Sequence, residues 1–135
     1  MLEGFRYIQN PVFGYNGRGT SVWIGHLRTG NQALADRLEA GQVLAHSFVI
    51  GELALAPLRQ RATLLTQLAD LPQAVVATDA EVLAFIARHA LSGHGIGYVD
   101  AHLLAATRLT QDATLWTQDK RLHALAARLG LAAAA

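Results

Sequence analysis

The sequence predicts an α/β fold in which helices cover a mostly parallel sheet. Three observations lead there. The short apolar runs Gln42–His46 (QVLAH), Ala74–Ala77 (AVVA) and Ala113–Trp116 (ATLW) have the length of buried strands. Stretches whose apolar side chains recur at helical spacing lie between and after them. Gly41, Pro57, Pro72 and Gly130 stand where those helices should stop.

Residues 1–19 (MLEGFRYIQNPVFGYNGRG) carry four glycines and a proline without a period of either two or 3.6, so they read as an irregular leader. From Thr20 the character changes. Val22, Trp23, Ile24 and Leu27 form a short helical face, and Asn31 is a candidate cap for a helix over residues 32–40. After QVLAH, helices are expected over residues 47–56 and 58–71. AVVA follows, then a helix that Asp79 is placed to cap. The glycines of SGHGIG (residues 92–97) break the chain before a helix over 98–111. ATLW leads to a last helix over 119–129, and the alanines 132–135 read as a frayed tail.

A chain of 135 residues holds one core, assigned here to residues 20–131. Its 52% hydrophobic and 16% charged content excludes a disordered chain. No apolar run is long enough for a membrane span. The net charge of +1 argues against a polycationic nucleic-acid coat, although a local cluster of acids with a bound cation still binds phosphate. Cysteine is absent, which removes disulfides and thiolate chemistry and suits a reducing cytoplasm.

Three acids stand out by position. Glu52, in FVIGELAL, follows Phe48 by four residues and Val49 by three and precedes Leu55 by three, which puts it on an apolar helix face. An ionised carboxylate there needs a partner, either an arginine or a cation. Asp100, in GYVDAHLLAA, shares a face with Leu103 and Leu104 and falls in a first turn, where the helix dipole favours it. Asp119 opens the last helix just beyond ATLW, as an N-cap or as a ligand. Sites in open parallel sheets gather beyond the carboxyl ends of strands. Carboxylates converging there require a cation, and oxygen donors select Mg2+ or Mn2+.

The segments FVIGELAL, LSGHGIGYVDAHLLAA and LWTQDKRLHALAARLG resemble the PIN-domain ribonuclease toxins, specifically the VapC family of toxin–antitoxin pairs. The resemblance spans about residues 20–131. It implies a three-layer α/β/α domain that cleaves RNA with Mg2+ or Mn2+ in the cytoplasm and is blocked by a VapB-type antitoxin. Pairing of two copies is usual among the resembled toxins. Glu52, Asp100 and Asp119 match the family's second, third and fourth acids. Thr117 matches the hydroxyl residue that supports the last one, and Thr20 and Ser21 match the pair after the first. The first acid is absent, because Gly19 stands in its place and no apolar strand leads into it. Two departures ending at one residue point to one cause, a shifted reading frame or a displaced start. A catalytically impaired protein that acts by binding antitoxin is the alternative expectation.

Other features carry less. The six histidines show no i, i+4 pair, so zinc is not expected. Gly93, Gly95 and Gly97 imitate a dinucleotide fingerprint without the strand that should precede it. Arg28, Arg59, Arg61 and Arg108 read as solvated cations, and Trp23 and Trp116 as packing residues.

Overall fold

The computed structural model describes residues 6–9 and 32–133. The elements run β1 (Arg6–Gln9), α1 (Gln32–Glu39), β2 (Val43–Leu44), α2 (Ser47–Leu55) and α3 (Arg61–Ala69). They continue through α4 (Asp79–Arg88), α5 (Tyr98–Leu109), β3 (Ala113–Trp116) and α6 (Lys120–Arg128). Expectations that rested on residues 19–28 and on Asn31 lie outside the described residues.

The sheet has the order β2-β1-β3 and both pairings are parallel. Ile8 pairs with Leu44 on one side and Leu115 on the other. Cross-strand partners share a face, so these three form a row through the sheet, and each is at most 2% exposed. Leu53 of α2, Leu68 of α3, Leu103 of α5 and Leu122 of α6 join the same buried cluster. Removing each such side chain from water stabilises the fold by about 1.5–3 kcal/mol. A smaller cluster of Ala77, Val82, Ala101 and Ala105 joins α4 to α5.

The leader corrects the first expectation. Residues 6–9, read as irregular, supply the central strand of the sheet. Four residues are too few to show a period, and their stability comes from the two flanking strands rather than from local propensity. β1 ends ten residues before Gly19, so the described strand is not one that runs directly into Thr20.

AVVA also departs from expectation. Only the bridge between Gln73 and Ala45 forms there, and Val75 donates its backbone N–H to the Thr110 hydroxyl at 3.0 Å instead of to a strand. At the other end, Ala132 bridges Leu115 and the Ala133 N–H reaches the Leu115 carbonyl at 2.9 Å. Ala133 is buried, so the tail is docked against β3 as far as that residue. The helix expected over 58–71 is shorter, Arg61–Ala69. Gly41, which ends α1, has φ of +70°, a conformation that suits glycine. No helix among the described residues is long and apolar enough to cross a membrane.

Ile8→Ala should lower the unfolding free energy by about 2–5 kcal/mol in urea denaturation, because it empties the centre of the row. An unchanged midpoint would show that the leader does not complete the sheet.

Candidate active site

Strand order reverses at β1, since β2 lies to one side and β3 to the other. Side chains beyond the carboxyl ends of β1 and β3 therefore border the crevice where open parallel sheets place their ligands. Asp119 stands there, three residues after β3. It is the N-cap of α6, and its Oδ1 accepts the backbone N–H groups of Arg121 (2.9 Å) and Leu122 (3.2 Å). The buried Thr117 hydroxyl accepts the Asp119 N–H at 3.0 Å, which fixes the turn between strand and helix.

Three residues separate the end of α5 from the start of β3, so α5 runs back along the sheet and its first turn lies at the carboxyl edge. Asp100, in that turn, accepts the Gly97 N–H on Oδ2 at 3.1 Å. Leu103 and Leu104 beneath it are fully buried, as their spacing implied. Glu52 lies in the second turn of α2, beyond the end of β2, and is half-buried. Val49, Leu53 and Ala56 beside it are buried, whereas Leu55 is 82% exposed. Glu52 thus borders the apolar face rather than occupying its centre.

The loop before α5 adds a group that the sequence reading did not single out. Gly95 has φ of +76°, and a Cβ there would meet Arg121 Nη1 at 2.6 Å. The missing side chain lets the Arg121 guanidinium lie against the loop, on the first turn of the helix that Asp119 caps. The run of three glycines was the available signal, and its meaning depended on a partner in another helix.

The candidate donors are all oxygens, the set that Mg2+ or Mn2+ prefers. Among the described residues no three Asp, Glu or His side chains gather closely enough to hold a cation together, so the expected three-acid convergence is not formed there. Mg2+ keeps several waters and binds through one or two carboxylates, and an open edge of this kind fits that chemistry better than a closed cage would.

A parallel sheet with acids at its carboxyl edge defines a class that the comparisons with known proteins identify. Residues 20–128 match the PIN domain, and the chain belongs to that family. Within it, the relatives are VapC toxins. The chain is 46% identical over 115 residues, 85% of its own length and 93% of the relative's, to Ribonuclease VapC32 of Mycobacterium tuberculosis strain CDC 1551 / Oshkosh. The same figures hold for Ribonuclease VapC32 of strain H37Rv. No solved structure matches the chain. The PIN domain is a three-layer α/β/α fold, in agreement with the parallel sheet and its helices.

A polar network braces the turn that carries Asp100. Asp79 was expected to cap α4, but Thr78 does so through a reciprocal capping box with Glu81. Asp79 Oδ1 instead accepts the Tyr98 hydroxyl at 2.7 Å and the His102 Nε2–H at 3.2 Å. The hydrogen bond from Tyr98, then that from His102, holds the Asp79 carboxyl below the usual carboxylate range. The same bond raises the Tyr98 phenol. Phe48 lies between His102 and His46, with ring centroids 4.4 and 5.3 Å away. His46 caps α2 by accepting the Phe48 N–H on Nδ1 at 3.0 Å. Its Nε2 and the Nδ1 of His102 are buried without a hydrogen-bond partner among the described residues.

Burial first, and then the nearby His102, pushes His46 down to about 4. The unfolded chain therefore takes up a proton near pH 6.5 that the folded chain refuses until about pH 4. The stability from a neutral His46 is complete above pH 6.5 and is lost as pH falls towards 4, by up to about 3 kcal/mol. His46→Asn keeps an N-cap acceptor, so it should flatten this part of the stability profile measured by urea denaturation at pH 7, 5.5 and 4. An equally steep profile in the variant would assign the loss to other groups.

Proposed function

We propose that this chain is the toxin of a VapBC pair, an endoribonuclease that cleaves RNA phosphodiester bonds with Mg2+ or Mn2+. The observation that carries the reading is its 46% identity to a named ribonuclease over 85% of the chain. The family match over residues 20–128 includes Glu52, Asp100 and Asp119. Asp100 and Asp119 would hold the cation from the carboxyl edge, with Glu52 acting directly or through the waters the cation retains. The bound cation would polarise the phosphodiester and supply a water acidic enough to attack it. Thr117 positions Asp119 through its backbone N–H, and Asp79 positions Asp100 through Tyr98 and His102, the residues two before and two after it. Arg121 adds positive charge beside the same edge, where an RNA phosphate must approach. A cytoplasmic toxin held by a VapB-type antitoxin is the setting this reading implies, and a homodimer is compatible with it.

One observation favours a second reading. Gly19 stands where the family's first acid belongs, and the family match begins at the next residue. A chain lacking that ligand binds the cation weakly and acts mainly by binding antitoxin.

Cleavage of an end-labelled single-stranded RNA, with Mg2+ or with a chelator, separates the two readings. Asp100→Asn and Asp119→Asn should each cut at least about tenfold more slowly. Asp119→Asn keeps a good N-cap, so its melting temperature should stay near that of the parent. Gly19→Asp should speed cleavage. Metal-dependent cutting by the parent that both Asn variants abolish supports the enzyme. Cutting by Gly19→Asp alone supports the impaired protein. No cutting by either, with folding confirmed, overturns the nuclease reading.

A further inference from the structure

Arg121 stands against the electrostatics of its own helix. It lies with Lys120 in the first turn of α6, where the helix dipole disfavours a cation, and that turn holds no acid. Its guanidinium makes no hydrogen bond or ion pair among the described residues. Asp119, two residues earlier, turns Oδ1 to the backbone N–H groups of Arg121 and Leu122 instead. The arginine side chain lies on the loop before α5. A Cβ at Gly95 would stand 2.6 Å from its Nη1, 3.1 Å from its Cδ and 3.3 Å from its Cζ.

The loop ties this contact to the acid edge. Gly97, two residues after Gly95, donates its N–H to Asp100, and Arg121 follows Asp119 by two residues. Arg121 therefore stands between the turns that bear the two acids. A cleft of about 340 Å3 opens there between the loop and α6, lined by His94, Arg121, Ala124, Leu125 and Arg128. Among the described residues no acid lines it. Arg128, two turns from Arg121 and about 10 Å along the axis, closes the far end. Its Nη2 donates to the His89 carbonyl at 2.8 Å. Leu125 on the floor is only 4% exposed, so the cleft offers little apolar surface to a base or to the anchor of a peptide. What it offers is N–H donors, five on the Arg121 guanidinium and one on the His94 imidazole.

We propose that Arg121 is a substrate-binding residue, which holds the RNA phosphate next to the one that is cleaved. Gly95 aims the guanidinium, and His94 supplies a second donor. This inference rests on RNA as the substrate, and position then decides the occupant. A strand whose scissile phosphate reaches Asp100 and Asp119 brings its neighbouring phosphate to the same edge. A cation held by the acids offsets the charge of the scissile phosphate, but the neighbouring one still faces carboxylates. An unpaired guanidinium between the two acid-bearing turns relieves that repulsion, and its planar fork matches two phosphate oxygens.

Fluorescence anisotropy of a labelled single-stranded oligoribonucleotide tests it, with Mg2+ chelated so that no strand is cut. Arg121 is exposed, so Arg121→Ala should bind about tenfold more weakly with an unchanged melting temperature. The slope of log affinity against log salt should fall by about one. Arg121→Lys keeps the charge without the fork, so it should keep the slope and recover only part of the affinity. Gly95→Ala should weaken binding as Arg121→Ala does. In the double variant it should add nothing, because the Cβ has no guanidinium to displace. Arg59→Ala, at an exposed arginine outside the cleft, should bind as the parent does. If the parent binds RNA but Arg121→Ala binds it equally well, the proposal fails while the nuclease reading stands. An equal loss in Arg59→Ala would make the effect one of net charge and overturn it too. A further loss from Gly95→Ala in the double variant would remove the aiming role of the glycine. If the parent binds no RNA, both readings fail. Displacement of the RNA by a polyglutamate peptide as readily as by unlabelled RNA would make the cleft a docking site for an acidic protein segment and overturn the proposal.

Discussion

The fold depends on one pairing, that of β1 between β2 and β3. β2 has two residues and β3 four, and β1 is the strand to which both are paired. The row Leu44–Ile8–Leu115 closes the sheet through the core, and the helices that carry the candidate acids pack against the same cluster. The directions of α2, α5 and α6, and hence the edge at which Glu52, Asp100 and Asp119 stand, follow from where β1 runs. A segment without a local signature of structure therefore sets the geometry of the site.

Part of the charge on the helices follows their dipoles, although Lys120 and Arg121 open α6. Asp79, Glu81 and Asp100 occupy first turns, and Arg37, Arg88, Arg108 and Arg128 occupy last turns. A net charge of +1 conceals this arrangement. Asp119 and Asp100 also serve the backbone, one as a cap and one as the acceptor of the Gly97 N–H. The carboxylates satisfy helix N–H groups and present their charge to whatever enters the crevice. Asp79 extends this order inward, since its bonds to Tyr98 and His102 hold both flanks of the Asp100 turn.

Much of the fold was legible from local pattern. ATLW formed a strand over the residues expected, Asp119 capped the helix after it, and α1, α2 and α5 lie within two residues of the spans their periodicity marks. These features are local, set by apolar spacing, caps and stops within one or two turns. The misreadings were non-local. AVVA has strand composition, but beyond its single bridge it finds a hydroxyl rather than a strand. The alanine tail has no composition that suggests order, and it docks because β3 offers it an unpaired edge. Asp79 looked like a cap because Asp at a helix start usually is one, yet Thr78 and Glu81 had taken that role.

By itself the sequence determined the α/β class, most of the helices and the family. The tertiary structure alone decided that residues 6–9 form the central strand, that Asp79 braces the turn bearing Asp100, and that Gly95 makes room for Arg121. It also decided that His94, Arg121 and Arg128 line one cleft. The division has a physical cause. A helix satisfies its own hydrogen bonds and shows its burial as a period. A four-residue strand, a buried histidine pair or a cleft between helices draws its energy from groups distant in the chain, and no local window contains them.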